Sequence, residues 1–180
     1  MNTFCSNPFR QNWGTAIYSR NLSLKEVKID TYSGRIVAAK VPHSYEEITV
    51  VSIHAPIIGG RVFPYLDEIF DEIEEILAGH TFIVGRDLNT ARLAEKVWPG
   101  HGHGSFFERL AESMFFDYHW KFQHGEQQTF FRSGVKHPFQ DDHLFVSYNL
   151  AKRVTSCDVL NNESIRGVSD HIPVYAEIDL

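Results

Sequence analysis

The chain has 180 residues, of which 43% are hydrophobic, 13% aromatic and 22% charged. That composition supplies a core for one ordinary domain and excludes global disorder. Seventeen Lys and Arg against 23 Asp and Glu give a formal net charge of −6, which excludes retention of nucleic acid by bulk positive charge and leaves only a local basic groove for that purpose.

The two cysteines, Cys5 and Cys157, form no CxxC pair, so neither a disulfide framework nor a cysteine zinc site is indicated; one bridge between them stays open. The N-terminal stretch MNTFCSNPFRQNW has no apolar signal-peptide core, and no apolar run approaches a membrane span. The expectation is a soluble cytoplasmic protein with a single domain over 1–180. Nothing in the sequence indicates an oligomeric state.

In chain order, Thr15–Tyr18 is predicted as a strand. Arg35–Val41 and Glu47–Ile53 follow, rich in Val and Ile and separated by Pro42-His43-Ser44-Tyr45, so they are predicted as neighbouring antiparallel strands. Val62, Leu66, Ile69, Ile73, Ile76 and Leu77 recur every three or four residues and predict one helix face. The acids Asp67, Glu68, Asp71, Glu72, Glu74 and Glu75 fall largely on the other face, as a solvated surface, and Gly79 stops the helix. Thr81–Val84 is a short buried strand leading into the polar turn 85–90. Phe106–Met114 is a second helix with Ser105 as its N-cap. Phe115–Phe122, Thr129–Arg132, His143–Ser147, Val154–Leu160 and Ile172–Ile178 complete the strands. Many strands with two good helices and several hairpins favour an α/β or α+β sandwich over a doubly wound parallel fold.

Four polar clusters lie at predicted strand ends, where rigid scaffolds present reactive groups. His54 ends the strand before Pro56 and reads alone as a hydrogen-bonded structural histidine. Asp87 and Asn89 sit two apart, which places them on one side of an extended chain. There a carboxylate can accept a proton from water while a carboxamide donates to a phosphoryl oxygen; an ordinary Asx-turn explains the same two residues. The third cluster is Gln140-Asp141-Asp142-His143. The fourth is Ser169-Asp170-His171, where a distant acid such as Asp142 can fix the tautomer of His171 and raise its basicity. Asp170 is then available to a hard cation such as Mg²⁺.

The segments WGTAIYSR at 13–20, VSIHAP at 51–56, IVGRDLNT at 83–90, DDHLFVS at 141–147 and SDHIPV at 169–174, taken in that order, make the chain resemble the endonuclease/exonuclease/phosphatase superfamily, the DNase I-like proteins. Thr129-Phe130 resembles the family's Thr-aromatic strand. The resemblance implies a two-sheet α/β sandwich with helices on its outer faces and metal-dependent hydrolysis of phosphate esters. It implies His171 as general base or transition-state histidine, Asp142 as its carboxylate partner, and Asp87 and Asn89 as the pair that orients nucleophile and phosphate. It makes His54 the histidine that assists the leaving group and Asp170 an acid at or near Mg²⁺, with Mn²⁺ as the alternative. The substrate class stays open among nucleic acid, phospholipid and inositol phosphate.

Three departures accompany the resemblance. Arg86 stands where small residues are usual, as a phosphate contact or a solvated turn residue. His143 replaces a frequent aromatic, a change expected in strand packing more than in chemistry. No Asn-bearing strand and no Gln-Glu pair is read ahead of residue 13, so the chain is expected to lack the family's first strand–helix–strand unit and the metal-binding Glu within it. Glu26 or Asp141 is a substitute for that acid. The competing expectation is a degenerate, non-catalytic homologue or fragment that keeps the fold. A third reading takes His101 and His103, in a Gly-His-Gly-His-Gly loop, as a transition-metal site. Lys121, Arg132, Lys136, Lys152 and Arg153 are the candidates for a basic groove.

Overall fold

The structure is a computed structural model that describes residues 2–5, 14–32, 34–43, 46–123, 125–132, 134 and 137–180. Trp13, Ser44, Tyr45 and Lys136 lie outside the described residues, as does the side chain of Arg86. The chain forms two compact units, Met1–Gly85 and Arg86–Leu180.

The N-terminal unit holds β1 (Asn2–Cys5), β2 (Ala16–Ser19), β3 (Lys25–Val27), β4 (Ile36–Pro42), β5 (Glu47–Ile53), α1 (Tyr65–Leu77) and most of β6 (Thr81–Asp87). β4 and β5 pair antiparallel, Ala38 opposite Val51, as the two Val- and Ile-rich runs predict. β3 adds antiparallel to β4, and β6 adds parallel to β5. Both faces of this sheet are apolar. On one face Val37 and Ala39 form a cluster with Ile17 of β2, and Leu24 and Val50 pack against it. The other face carries Ile36, Ala38, Val51 and Ile53, all buried. A second sheet thus lies on the first through β2, and the Thr15 and Ser52 hydroxyls hydrogen-bond in the same layer. A strand does precede residue 13: Asn2–Cys5 pairs antiparallel with β2, in a stretch where the sequence pattern predicts none.

α1 starts at Tyr65, after the expected Val62, because Pro64 takes the cap position. Leu66, Ile69, Phe70, Ile73 and Leu77 form its buried face. Gly79, at φ 77°, accommodates the left-handed turn that ends it.

The C-terminal unit holds α2 (Ala94–Val97), α3 (His103–Glu112), β7 (Phe116–Asp117), α4 (Tyr118–Gln123), β8 (Asp142–Val146), α5 (Tyr148–Ala151), β9 (Val154–Val159), α6 (Glu163–Arg166) and β10 (Val174–Ile178). β7 pairs with β8, and β9 with β10, both antiparallel. α3 buries His103, Phe106, Phe107 and Leu110 at helical spacing. Its cap is Gly102 rather than Ser105, and the Glu95 carboxylate accepts the Gly100 and Gly104 N–H groups there. These bonds hold the Glu95 carboxyl below its usual range, as an anion at a helix N-terminus should be held.

Two predicted strands are largely absent. Of Phe115–Phe122 only Phe116 and Asp117 are extended, and the chain then turns into α4, which buries His119 completely. The aromatic run has high β-propensity, but tertiary packing of His119 overrides it. Of Thr129–Arg132 only a single bridge remains, from Phe130 to His171. The Thr129 N–H binds the Phe139 carbonyl instead of a strand ladder. β10 starts at Val174 rather than Ile172, and the Pro173 carbonyl accepts the Leu160 N–H. Cys157 is buried, and its thiol is pushed up to about 12 by burial and by the Asp117 and Asp158 charges.

Candidate active site

Three chain segments of the C-terminal unit bring an imidazole and three carboxyl groups together. β6 runs three residues further than predicted and ends at Asp87. There the Asp87 Oδ1 accepts the Asn89 N–H at 2.9 Å, and Asn89 adopts φ 51°. This is an Asx-turn with a left-handed third residue, a conformation Asn tolerates. The alternation argument for Asp87 and Asn89 therefore stops at Asp87, because the chain is no longer extended at Asn89. Asp87 is buried and Asn89 half-buried.

Asp142 opens β8. Its Oδ2 accepts a hydrogen bond from His171 Nδ1 at 2.8 Å. The other ring nitrogen, Nε2, lies 3.9 Å from Asp87 Oδ2. His171 thus sits between two carboxylates, with its ring 4.9 Å from the Phe130 ring at 42°. Its pKa rises to about 9, first through the hydrogen bond to Asp142 and further through the charges of Asp142, Asp87 and Asp170, against a smaller opposing effect of burial. At neutral pH it is an imidazolium with a proton on both nitrogens, of which Nδ1–H is donated to Asp142.

Asp141 is the acid that the sequence argument left at the margin. Its carboxyl is pushed up to about 7, first by burial, then by the neighbouring Asp87 and Asp142 charges. Its backbone is held on both sides: the carbonyl accepts the Leu88 N–H at 2.8 Å, and the N–H donates to Thr129 Oγ1 at 3.0 Å. The motif at 141–147 contains it without giving it a role, because its neighbours arrive from β6 and from residue 171.

His143 points to the opposite side of β8 from Asp142, as alternation requires. Its Nε2–H donates to the Thr90 carbonyl at 2.9 Å, and its ring stands 4.9 Å from Phe107 and 6.0 Å from Phe145. It fills an aromatic layer, as expected for strand packing. His103 shares a hydrogen bond with the Thr90 hydroxyl at 2.8 Å, and burial depresses its pKa. The His101–His103 loop is tied to Thr90 and Trp98.

His54 belongs to the N-terminal unit. Its Nδ1 is 3.0 Å from an Arg35 guanidinium nitrogen, and its N–H donates to the Arg35 carbonyl at 2.8 Å. Asp170 is exposed, and its carbonyl accepts the Phe131 N–H at 2.7 Å. Among the described residues, no group of three or more His, Cys, Asp or Glu is arranged to hold a metal ion. These residues do not fit a ready-made metal site. Of the basic candidates, Lys121 lies 5.8 Å over the Phe116 ring and Lys152 4.6 Å over the Tyr148 ring. The Arg153 Nε donates to the Asp179 carbonyl, and Arg132 is exposed. No helix among the described residues is long and apolar enough to cross a membrane.

These elements define a mixed α/β protein with an Asp–His–Asp arrangement in its C-terminal unit. Comparison with solved structures then shows that the chain has the DNase I-like fold. The endonuclease domain of TRAS1, a telomere-specific non-LTR retrotransposon, superposes with a TM-score of 0.70 and 20% identity, over 99% of this chain and 80% of that one. The 3′ phosphatase NExo from Neisseria, solved with a product DNA hairpin, gives 0.67 and 18%, over 89% and 71%. An AP endonuclease from Archaeoglobus fulgidus gives 0.66 and 19%, again over 89% and 71%. No protein-family model matches the sequence, and no curated protein matches it.

Proposed function

We propose that this chain hydrolyses phosphoric esters, with a nucleic-acid phosphodiester as the substrate class. The observation that carries the reading is the placement of His171 between Asp142, at 2.8 Å, and Asp87, at 3.9 Å. An oxygen atom can lie within hydrogen-bond reach of both Asp87 and His171 Nε2 at that separation. Asp87 accepts a proton from an attacking water, whose oxygen bonds to phosphorus as the P–O bond to the leaving alcohol breaks and that alcohol takes a proton from solvent. The His171 imidazolium donates Nε2–H to a phosphoryl oxygen as negative charge develops on it. Asp142 holds the ring in place and keeps it charged. Of the two roles the resemblance offers His171, its surroundings favour the transition-state donor over the general base. The substrate class draws on the similar structures, which include a phosphatase bound to a DNA hairpin and an AP endonuclease. Dependence on Mg²⁺ or Mn²⁺ is what the resemblance implies.

One observation favours a second reading, a non-catalytic domain that binds phosphate esters: the described residues form no three-ligand metal group. The two readings separate in one assay. Single-stranded, duplex, abasic and 3′-phosphorylated DNA, with inositol phosphate and phospholipid as contrasts, are incubated with the protein in Mg²⁺, Mn²⁺ or EDTA. Cleavage of a DNA substrate that is lost in His171→Ala supports the enzyme. Binding without cleavage supports the second reading, and turnover of the contrasts alone overturns the substrate class.

A further inference from the structure

We propose that Thr129 is the positioning residue that sets the His171–Asp142 pair, an inference that rests on reading this pair as the working groups. Thr129 is fully buried, at 0% exposure, and it makes contacts to both halves of the pair. Its Oγ1 accepts the N–H groups of Asp141 and Asp142, each at 3.0 Å. Its carbonyl accepts the Ile172 N–H at 2.7 Å, one residue beyond His171.

Two consecutive amides that point at one oxygen are not a regular strand, in which successive N–H groups point to opposite sides. The hydroxyl therefore imposes the backbone turn from which β8 starts. That turn fixes where the Asp142 carboxylate leaves the chain. A hydroxyl oxygen has two lone pairs, so one Thr satisfies both donors. On the other side, the Ile172 bond, the Phe131 N–H to Asp170 carbonyl bond at 2.7 Å and the bridge of Phe130 to His171 form a short antiparallel clamp. That clamp holds the backbone of His171, while the Phe130 ring meets the imidazole. The acid is thus placed by the side chain of Thr129, and the histidine by its main chain and the next residue. The 2.8 Å separation of Nδ1 and Oδ2 is the sum of these restraints.

A valine at position 129 keeps the shape and the main-chain bonds but removes the double acceptor. Misplacing a working group by about 1 Å can cost about 10²-fold in rate. Thr129→Val is expected to lower kcat by about 10²-fold with little change in KM, and Thr129→Ser to restore most of the rate. The second readout is independent of turnover. In ¹H–¹⁵N NMR the His171 Nδ1–H, hydrogen-bonded to Asp142, should give a downfield resonance in the wild type and in Thr129→Ser. It should be lost to exchange in Thr129→Val while the remaining amide spectrum stays folded. A Thr129→Val protein that keeps the resonance overturns the proposal, as does a Thr129→Ser protein that loses it. If the wild type cleaves no phosphate ester, the functional reading fails while the resonance still decides the role of Thr129.

Discussion

His54 and His171 occupy the same local pattern, Ser-x-His-x-Pro, in Ser52–Pro56 and Ser169–Pro173, yet the fold gives them opposite partners. In the N-terminal unit a guanidinium faces His54 Nδ1 at 3.0 Å. Arginine only donates, so Nδ1 is the acceptor, the ring proton sits on Nε2, and the imidazole is neutral. In the C-terminal unit a carboxylate faces His171 Nδ1 at 2.8 Å and a second lies beyond Nε2. Both nitrogens are then protonated. The role of a strand-end histidine is decided by the group that the tertiary structure brings to Nδ1, and neither pattern contains that group.

The largest break in this contrast is removal of the charged ring. His171→Ala should reduce turnover by about 10²–10⁴-fold, the usual contribution of a positioned acid or base, with an unchanged far-UV circular dichroism spectrum. Next is the removal of the charge that distinguishes His171 from His54. Asp142→Asn should slow turnover by about 10²-fold and bring the His171 pKa down from about 9 toward 6.5, because the leading cause of the rise is gone. A titration followed by NMR measures the shift, and a value that stays near 9 would assign the effect to Asp87 instead.

Stability against pH sharpens the comparison more gently. His171 titrates at about 9 in the folded chain, above its ordinary 6.5. Its stabilising contribution is therefore full below about 6.5 and is lost as the pH rises through 9. Asp141, raised from 3.8 to about 7, behaves in the same sense at lower pH: its contribution is full below 3.8 and disappears as the pH rises through 7. The buried His103 and His119 have depressed pKa values, and their contribution runs the other way, full above 6.5 and lost on acidification. The melting temperature of the wild type minus that of Asp141→Asn should consequently fall between pH 4 and 7 and level off above. A difference that is flat or rises over that range would remove Asp141 from the carboxylate cluster.

How much of this was legible in the sequence depended on how local the determining contacts are. β5 was predicted to the residue, because a short Val- and Ile-rich run bounded by turn residues marks a strand buried on both faces. α1 was clear from its apolar spacing, and its start was displaced only by Pro64. The run Phe115–Phe122 misled, since aromatic residues fit a strand equally well and the burial of His119 depends on distant packing. The strand at Asn2–Cys5 was invisible, as four residues carry no periodicity. At the site, Asp142 was a candidate partner for His171 by its chemistry, and the resemblance singled it out; no spacing connects positions 29 residues apart. Asp141 and Thr129 were noted, but not the bonds between them, because a hydroxyl bonded 12 and 13 residues downstream leaves no local trace. Asn89 was placed by an alternation that the chain abandons two residues earlier.

The smallest expected effect comes from the other histidine. Arg35→Met keeps much of the side-chain length at residue 35 and removes the donor to His54. The pair is part-buried, so its loss should cost about 1 kcal/mol, the ordinary net value of one hydrogen bond, read from a urea melt. Without the guanidinium, Nδ1 of His54 loses this donor, and the two ¹⁵N shifts of the ring should move toward those of an imidazole that exchanges between tautomers. The downfield Nδ1–H of His171 should not move, since its partner is Asp142 in the other unit. If Arg35→Met leaves the His54 nitrogens unchanged, the neutral Nε2–H form is not set by Arg35, and the contrast between the two histidines has to be explained by something other than the partner at Nδ1.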